Sequence, residues 1–336
     1  MNPVLVEVTR GSRIESTHRG AIAICDARGR VFSGWGDIEA AVYPRSAFKS
    51  LQALALVESG AADAFAVDQE ELALACASHS GETMHVERVE HWLERIDCRE
   101  SDLACGPHLP LHEPSAHAMI REGRKPCRVH NNCSGKHTGF LSLARHFGVS
   151  TANYERPDHP VQCLVRTTIA EMCDLEPDDM LLAIDGCAAP NYAIPLHKLA
   201  RAMARLGDTS ALAPRRADAA RRLLDAWRAH PLLVSGTGRS CADLIGATTG
   251  RTVVKTGAEG VFTAVLPERG LGIALKIDDG ATRGAETAMA RLLVLLGVAD
   301  GTSELVAKHL RPPVRNWRGD NVGERRAGAA LESLAT

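Results

Sequence analysis

A serine followed three residues later by a lysine, and a Lys-Thr-Gly triplet far downstream, are the residues of this chain that most directly suggest chemistry. The pair is Ser46 and Lys49, and the triplet begins at Lys255. A serine hydroxyl is a weak nucleophile at neutral pH, and a buried lysine in its neutral form can activate it as a base. Residues i and i+3 of a helix share one face, so we expect Ser46 and Lys49 to lie together at the start of a helix. Backbone N–H groups there can stabilise a developing oxyanion.

Each motif also has an ordinary structural interpretation. Ser46 can be a helix cap ahead of a surface lysine, and Lys255 can be an edge-strand lysine. The apolar residues Leu51, Ala53, Leu54, Leu56 and Val57 favour a central helix, which predicts that Lys49 is desolvated and has a lowered pKa. In this order the two motifs follow the pattern of serine hydrolases built like β-lactamases and penicillin-binding proteins. Together they therefore predict a serine activated by lysine.

Two further loops are rich in small and polar residues. The segment Cys76–Glu82 contains Ser78 and Ser80, either of which could supply a second hydroxyl, although a helix C-terminus followed by a turn explains the segment equally well. The segment Ser235–Arg239 resembles a glycine-rich anion cradle but lacks the lysine of a P-loop. It is better interpreted as a tight loop whose Arg239 could pair a substrate carboxylate.

The densest polar segment is His130–Gly139, and a second cysteine follows a short apolar stretch at Asp185-Gly186-Cys187. Cys133 could bind a metal or act as a nucleophile, and His137 with Asp185 leaves a Ser-His-Asp triad open. The chain has no Cys-x-x-Cys pair, so a structural zinc ribbon is not favoured. A third metal ligand beside the two cysteines would have to be a histidine or a neutral lysine.

The elements that position these loops follow from hydrophobic periodicity and turn residues. The predicted strands are Val4–Val8, Ala21–Cys25, Arg30–Trp35, Leu181–Ile184 (taken as buried), Arg251–Thr256, Gly260–Leu266 and Leu271–Ile277. The predicted helices are one starting at Ser46, then Glu70–Ala77, Thr83–Ile96, Gly135–Phe147, Pro160–Cys173 (capped by Asp158), Leu196–Leu206, Pro214–Ala229 and Ala281–Leu296.

This order of elements predicts one α+β domain over residues 1–336. Strands from about 1–40 and 251–280 would share an antiparallel sheet, and residues 46–230 would form a helical lobe. A C-terminal helix and a polar tail, as an ordered arm or a loose end, would occupy 281–336.

Composition excludes several function classes. The 336 residues are 45% hydrophobic and carry a net charge of −2, so no strong basic field attracts nucleic acid or an anionic membrane. Aromatic residues make up 4%, which argues against a base-stacking surface. Ten cysteines without an apolar segment typical of a secretory signal suggest reduced thiols, so we expect a cytoplasmic protein.

In this order, a set of longer motifs resembles the Rhizobium-type (class 3) L-asparaginases over nearly the whole chain. The motifs are PRSAFK, CASHSGE, HNNCSGKHTGFL, AIDGCAAPNYAIPL, SGTGR, KTGAEGVF and GIALKIDDG. The resemblance implies a fold similar to serine β-lactamases and penicillin-binding proteins. It also implies a homodimer.

The resemblance implies two Ser–Lys tandems. Ser46 with Lys49 matches the nucleophile and its base, and Ser78 with Lys255 matches the second tandem. The implied reaction is hydrolysis of L-asparagine to L-aspartate and ammonia through a serine acyl-enzyme.

The resemblance further implies a zinc ion held by Cys133, Lys136 and Cys187, with a structural or substrate-organising role. Asp185 matches a residue placed to hold the substrate α-ammonium group. Arg45 and His137 fall in matching segments and are predicted to bind substrate, and Cys241 also lies in a matching segment.

Two other functions stay open at this point. One is a cytosolic serine glutaminase or β-lactamase-like amidase that uses the same Ser–Lys machinery on another amide. The other is a zinc or amino-acid binding protein without turnover, although a binding protein has no need of two Ser–Lys pairs.

Overall fold

Strands from both ends of the chain form one antiparallel sheet in the computed structural model, which describes residues 1–334. The strands are β1 (Val4–Arg10), β2 (Arg13–Asp26), β3 (Val31–Trp35), β4 (Ala41–Val42), β5 (Leu182–Ile184), β6 (Pro190–Tyr192), β7 (Ile194–Pro195), β8 (Val253–Thr256), β9 (Val261–Leu266), β10 (Leu271–Ile277), β11 (Pro313–Arg315) and β12 (Asn321–Ala327).

The helices lie mainly between the two blocks of strands. They are α1 (Lys49–Glu58), α2 (Ala61–Ala64), α3 (Gln69–Ala75), α4 (Thr83–Arg95), α5 (Glu113–Arg121), α6 (Ser134–Phe147), α7 (Pro160–Cys173), α8 (Leu196–Gly207), α9 (Pro214–Ala229), α10 (Pro231–Ser235), α11 (Ser240–Ala247), α12 (Thr282–Leu295) and α13 (Glu304–Leu310). Within residues 1–334, no helix combines the length and the apolar character needed to cross a membrane.

The main sheet has the strand order β11-β12-β1-β2-β10-β9-β8, and β3 also pairs with β2. Its pairings are antiparallel, and β2 joins the two ends of the chain because it pairs with β1 along one part and with β10 along another. Leu271 lies opposite Asp26 and Ile277 lies opposite Gly20 in that pairing. The predicted sharing of one sheet by N- and C-terminal strands is confirmed.

The contacts divide the chain into two compact units. The first contains residues 1–47, 194–208 and 243–336, and the second contains residues 48–193 and 209–242. The single domain predicted over 1–336 stays a prediction, and its last two residues lie outside the described part of the chain.

The first unit is built on the main sheet. Helix α8 packs against β2 and β10, and α12 packs against β1, β9, β10 and β12. Strand β10 is buried apart from one half-buried lysine, so its side chains are enclosed on both faces. This enclosure makes β10 the centre of the unit's core.

The second unit is mainly helical, with α1 at its centre. Helices α6, α7 and α9 contact α1, and the residues from Lys49 to Val57 are buried. Helix α3 packs against α6 and α9. A helix buried on every side is stable only when other elements enclose it, which agrees with the mostly apolar residues that follow Lys49.

The α+β class and the antiparallel sheet are confirmed by this architecture. Apart from the helix predicted to start at Ser46, predicted helix boundaries lie within one or two residues of those observed. Helices Pro214–Ala229 and Pro160–Cys173 and strand Leu271–Ile277 agree at both ends. Long periodic segments of this kind are governed by their own apolar pattern.

One predicted helix start and one predicted helix cap were wrong. Ser46 lies in a 3-10 turn, Arg45–Phe48, and the α-helix begins only at Lys49. The cap of α7 is His159, whose side chain accepts the N–H of Val161, while Asp158 pairs with an arginine at the surface. An imidazole nitrogen can accept this hydrogen bond as a carboxylate does, and Pro160 in the first turn lacks an N–H to satisfy.

Several elements were not predicted. The chain after Gly301 is ordered, with α13 followed by β11 and β12, and β12 pairs with β1. Val6 lies opposite Ala327 in that pairing. The polar residues of β12 hide this strand in the sequence because they lack an alternating apolar pattern.

Candidate active site

Lys49 is the centre of the polar cluster in the helical unit. Its side chain is fully buried, and its Nζ donates to the carbonyl oxygen of Ala77. The same nitrogen lies 3.1 Å from Ser78 Oγ and 3.1 Å from Cys133 Sγ. One amine therefore connects a serine of the predicted second tandem with a cysteine of the predicted zinc site, a contact that the sequence did not reveal.

The loop that carries Ser78 is held by backbone hydrogen bonds. The N–H of Ser78 donates to the carbonyl of Val234 at 3.0 Å, and the N–H of His79 donates to the carbonyl of Asn132 at 3.1 Å. The Ser80 hydroxyl donates to the carbonyl of Ser235 at 2.7 Å. Ser80 thus closes the loop onto the segment Ser235–Arg239, and Ser78 is the serine next to the lysine.

His79 provides a second, buried support for this loop. Its Nε2 lies 2.8 Å from Ser134 Oγ, and that hydroxyl donates to the carbonyl of Val129. The N–H of Gly81 donates to His79 Nδ1 at 3.1 Å, so the ring is neutral with its proton on Nε2. Burial lowers the pKa of His79 well below its ordinary value, in agreement with a neutral ring.

Cys133, Lys136 and Cys187 come together, as the resemblance implies. Lys136 Nζ lies 3.1 Å from Cys187 Sγ. The interaction between the two cysteines lowers the pKa of Cys187 and raises that of Cys133. Burial by itself lowers the pKa of Lys136, but the negative charge at Cys187 and Cys133 outweighs it and raises that pKa.

His137 is buried on the same helix, and its partner is not the one expected for a triad. Its Nδ1 lies 2.7 Å from the hydroxyl of Tyr154. Burial lowers the pKa of His137, and the interaction with Cys187 opposes this. The contact with a tyrosine where a triad would place a carboxylate does not favour the Ser-His-Asp alternative. Sequence reasoning did not single out Tyr154, and an isolated tyrosine in a turn gives no pattern that could have done so.

Asp185 lies in a tight loop that connects β5 to Cys187. The N–H of Asp185 donates to the carbonyl of Ala189, and the N–H of Ala188 donates back to Asp185 at 2.9 Å. Ala188 has a φ of 72°, a left-handed conformation that is uncommon for a residue with a Cβ. The Asp185 carboxylate accepts the N–H of Gly186 at 2.9 Å and lies 3.8 Å from Cys187 Sγ.

The strand before this loop is not buried, contrary to the prediction. Leu182 is 41% exposed and Ile184 is 58% exposed. Among residues 1–334, β5 pairs only with β6. The residues of β6 are buried, whereas those of β5 lie at the surface. An apolar run alone does not determine which of two paired strands faces solvent.

The sheet unit holds Arg45, Ser46 and Lys255. A Cβ on Gly257 would lie 2.5 Å from the carbonyl oxygen of Pro44, so the turn after Lys255 packs directly against the segment that carries Ser46. Thr263 Oγ1 donates to the carbonyl of Ala47 at 2.8 Å and ties the same segment to β9. Lys255 is fully buried on β8, and its Nζ donates to the carbonyl of Thr256 at 2.7 Å.

Arg45 has a left-handed backbone, with a φ of 52°. This conformation is unfavourable for an arginine by about 1–2 kcal/mol and persists only where surrounding contacts impose it. It falls immediately before Ser46, whose side chain is partly accessible. Strained residues of this kind are concentrated at functional sites.

The donor atoms of the cysteine cluster suit a zinc ion. Two sulfurs and one amine nitrogen converge, and thiolate and nitrogen donors are the ligands that zinc prefers. In the part of the chain that the structure describes, no group of three or more His, Cys, Asp and Glu side chains could hold a metal. A site here therefore requires Lys136 as a ligand, which must lose its proton first.

A comparison with protein-family models identifies the class of protein as an amidohydrolase that acts on asparagine. The matching model is L-asparaginase II, which covers residues 6–327, and the chain belongs to this family. The enzyme is thus an L-asparaginase, and the resemblance found in its sequence motifs is confirmed. A comparison with curated protein sequences gave no significant match.

Solved structures with similar folds share little sequence with the chain. A candidate β-lactamase from Bacteroides dorei is 14% identical at a TM-score of 0.43, with 77% of this chain and 84% of the other covered. The simvastatin synthase LovD from Aspergillus terreus, as a mutant, is 12% identical at a TM-score of 0.39, with 77% and 86% covered. Likeness at this level establishes neither activity nor substrate.

Proposed function

We propose that the enzyme hydrolyses L-asparagine through a serine acyl-enzyme, with Ser46 as the nucleophile and Lys49 as its base. Ser46 Oγ forms a bond to the side-chain amide carbon while its proton passes to the neutral amine of Lys49. The C–N bond then breaks, and the nitrogen leaves as ammonia after gaining a proton. Water hydrolyses the β-aspartyl ester and restores the serine.

The contact between Lys49 Nζ and Ser78 Oγ supports the proton relay in this proposal, and the choice of Ser46 as the nucleophile rests on the sequence resemblance. A buried amine 3.1 Å from a serine hydroxyl can pass a proton to it and take one back, so Ser78 is suited to relay a proton toward the leaving nitrogen. Lys255 is proposed to tune Ser78, as the sequence resemblance implies. The left-handed Arg45 before Ser46 supports a functional segment there.

The substrate-binding roles are proposed from the same resemblance. Asp185 would hold the substrate α-ammonium group, because a carboxylate next to a tight loop is a fixed negative charge. Arg45 and His137 are proposed to contact the rest of the amino acid.

We test the nucleophile by replacing each serine in turn. Ammonia release from L-asparagine should fall by several orders of magnitude in Ser46→Ala, since removal of a catalytic serine in a comparable hydrolase costs about 10⁶-fold. Mass spectrometry of quenched wild-type enzyme should show a covalent aspartyl adduct. Ser80→Ala is the matched control, because its hydroxyl serves the backbone. If Ser46→Ala stays active and Ser78→Ala does not, Ser78 is the nucleophile.

The same assay separates asparagine from other amides. Glutamine and a chromogenic β-lactam should be turned over much more slowly than asparagine. Faster turnover of either would move the enzyme to the glutaminase or amidase alternative.

We further propose that Cys133, Lys136 and Cys187 hold a zinc ion. Bound there, zinc would supply a Lewis-acidic centre that organises the loop carrying Asp185. Cys187→Ser should lose stoichiometric zinc in metal analysis of the purified protein, whereas Cys98→Ser, a buried cysteine outside the cluster, should retain it. Equal zinc in both variants would exclude this ligand set.

A homodimer and a cytoplasmic location are proposed as well. Light scattering of the purified enzyme should give twice the monomer mass, and cell fractionation should place it in the cytoplasm. A monomer mass at assay concentration would remove the first proposal.

A further inference from the structure

Tyr154 is a buried tyrosine whose hydroxyl has two partners. The side chain is 1% exposed, and its oxygen accepts the backbone N–H of Ala104 at 2.9 Å. The same oxygen lies 2.7 Å from His137 Nδ1. The backbone N–H occupies one lone pair of this oxygen, and the buried hydroxyl hydrogen also needs an acceptor, for which His137 Nδ1 is in place.

This arrangement determines the tautomer of His137. Since Tyr154 donates to Nδ1, that nitrogen is an acceptor and the imidazole proton lies on Nε2. His137 Nε2 is buried and has no hydrogen-bond partner of standard geometry within residues 1–334. In the opposite tautomer, Nδ1–H would donate to the Tyr154 oxygen, and the tyrosine hydrogen would have to turn away from the ring.

The ring of His137 is also fixed in orientation. It packs edge-to-face against Phe140 and Tyr154, with centroid distances of 5.8 and 5.6 Å. Gln162 donates to the backbone carbonyl of Tyr154 at 3.1 Å and holds the turn that carries the tyrosine. Burial raises the pKa of Tyr154 well above its ordinary value, so the hydroxyl remains a donor across the working pH range.

We propose that Tyr154 is a positioning residue of this asparaginase: its hydroxyl, held by Ala104, keeps His137 in the Nε2–H tautomer. The inference rests on the proposed function in placing His137 at the site. It adds Tyr154, which lies outside all the sequence motifs, to the residues of the site. It also assigns the imidazole proton of His137 to Nε2. Partners that orient a metal-ligating histidine typically matter 10–100-fold for metal affinity or activity, and we expect an effect at the lower end of this range for His137.

The chain supplies a matched control in Tyr192. This tyrosine is 2% exposed, and its hydroxyl is buried without a hydrogen-bond partner in the described part of the chain. Tyr154→Phe and Tyr192→Phe therefore remove the same atom from equally buried sites. Only Tyr154→Phe removes hydrogen bonds, those with Ala104 and His137.

The experiment measures the tautomer and the kinetics of the full-length enzyme. ¹⁵N spectra of histidine-labelled protein, with the His137 signals assigned by His137→Gln, should show a protonated Nε2 and a bare Nδ1 in the wild type. In Tyr154→Phe the signals should move toward a mixture of tautomers, and kcat/KM for asparagine should fall about 10-fold or more. Tyr192→Phe should match the wild type in both readouts.

A wild-type spectrum with the proton on Nδ1 would overturn the proposal, even if Tyr154→Phe did not fold. A Tyr154→Phe enzyme that keeps the Nε2–H tautomer and wild-type kinetics would overturn it as well. The tautomer measurement does not depend on which serine attacks, so a failure of the proposed nucleophile leaves it intact.

Discussion

Lys49 connects Ser78 to the cysteine cluster, since one buried nitrogen contacts Ser78 and Cys133. The spacing of Ser46 and Lys49 in the sequence predicts a base for the first serine only. The structure adds contacts between this amine and two further polar side chains. Replacing Lys49 therefore tests the network as a whole.

We predict that Lys49→Met keeps the fold and loses turnover. Methionine has a similar length but no proton to move, and loss of a general base typically lowers kcat about 10²–10⁴-fold. The carbonyl of Ala77 is left without its buried donor, so a destabilisation of about 1–3 kcal/mol should accompany the loss. Ammonia release and a thermal melt measure the two effects. Lys125→Met, at an exposed position, is the control, and a Lys49→Met enzyme with near-normal kcat would contradict the role.

Helix α6 carries Lys136 and His137, and its position depends on a close approach to α3. A Cβ added at Gly135 would lie 2.6 Å from the carbonyl oxygen of Leu74, a distance that side chains do not occupy. At Gly139, on the same helix, the nearest atom would be a flexible Leu56 methyl at 3.4 Å. Close packing therefore requires a glycine at position 135 but not at position 139.

We predict opposite effects for the two alanine substitutions. Gly135→Ala should destabilise the enzyme by about 1–3 kcal/mol and reduce activity, because α6 must move away from α3. Gly139→Ala should be neutral or stabilising by up to about 1 kcal/mol, since alanine favours the helix. The melting temperatures of both variants, compared with that of the wild type, test these two predictions. Equal melting temperatures would show that α6 does not depend on this contact.

At the scale of the whole molecule, the C-terminal segment is part of the sheet unit. Strand β12 extends the main sheet beside β1, and Thr287 on α12 donates to the carbonyl of His309 at 2.7 Å. Asp243 joins α11 to α13, since its carboxylate lies 2.8 Å from both His309 Nε2 and Lys308 Nζ. Residues distant in the chain are thereby held in one unit.

The Asp243 carboxylate predicts a pH-dependent stability. Burial by itself raises the pKa of Asp243, but the hydrogen bonds from His309 and Lys308 outweigh it, and the pKa lies below the ordinary value. A pKa lowered by folding adds stability above the unfolded value, about 3.9, and this stability disappears as the pH falls through the folded value.

Asp243→Asn should therefore lower the stability at pH 7 by about 1–3 kcal/mol, with a difference from wild type that shrinks in acid below about pH 4. Thermal melts across this range provide the measurement. Asp225→Asn, on an exposed part of α9, should show no such trend. A constant difference between Asp243→Asn and wild type at every pH would contradict the linkage.

The sequence by itself determined the elements, the class and the motifs. Periodic segments such as α9 and β10 are set by local apolar patterns, which exist before the chain folds, and the order of strands and helices was sufficient for the α+β class. Strand β12 and the exposure of β5 escaped this reasoning. Whether a short strand pairs, and which face is covered, depends on neighbours far away in the chain.

Only the tertiary structure decided which side chains meet. Lys49 and Cys133 are 84 positions apart, and Tyr154 reaches His137 from a turn without a recognisable motif. Such contacts follow from the packing of buried helices, which residue types and spacing do not encode locally. The sequence therefore predicted the reactive residues, and the fold determined the network that joins them.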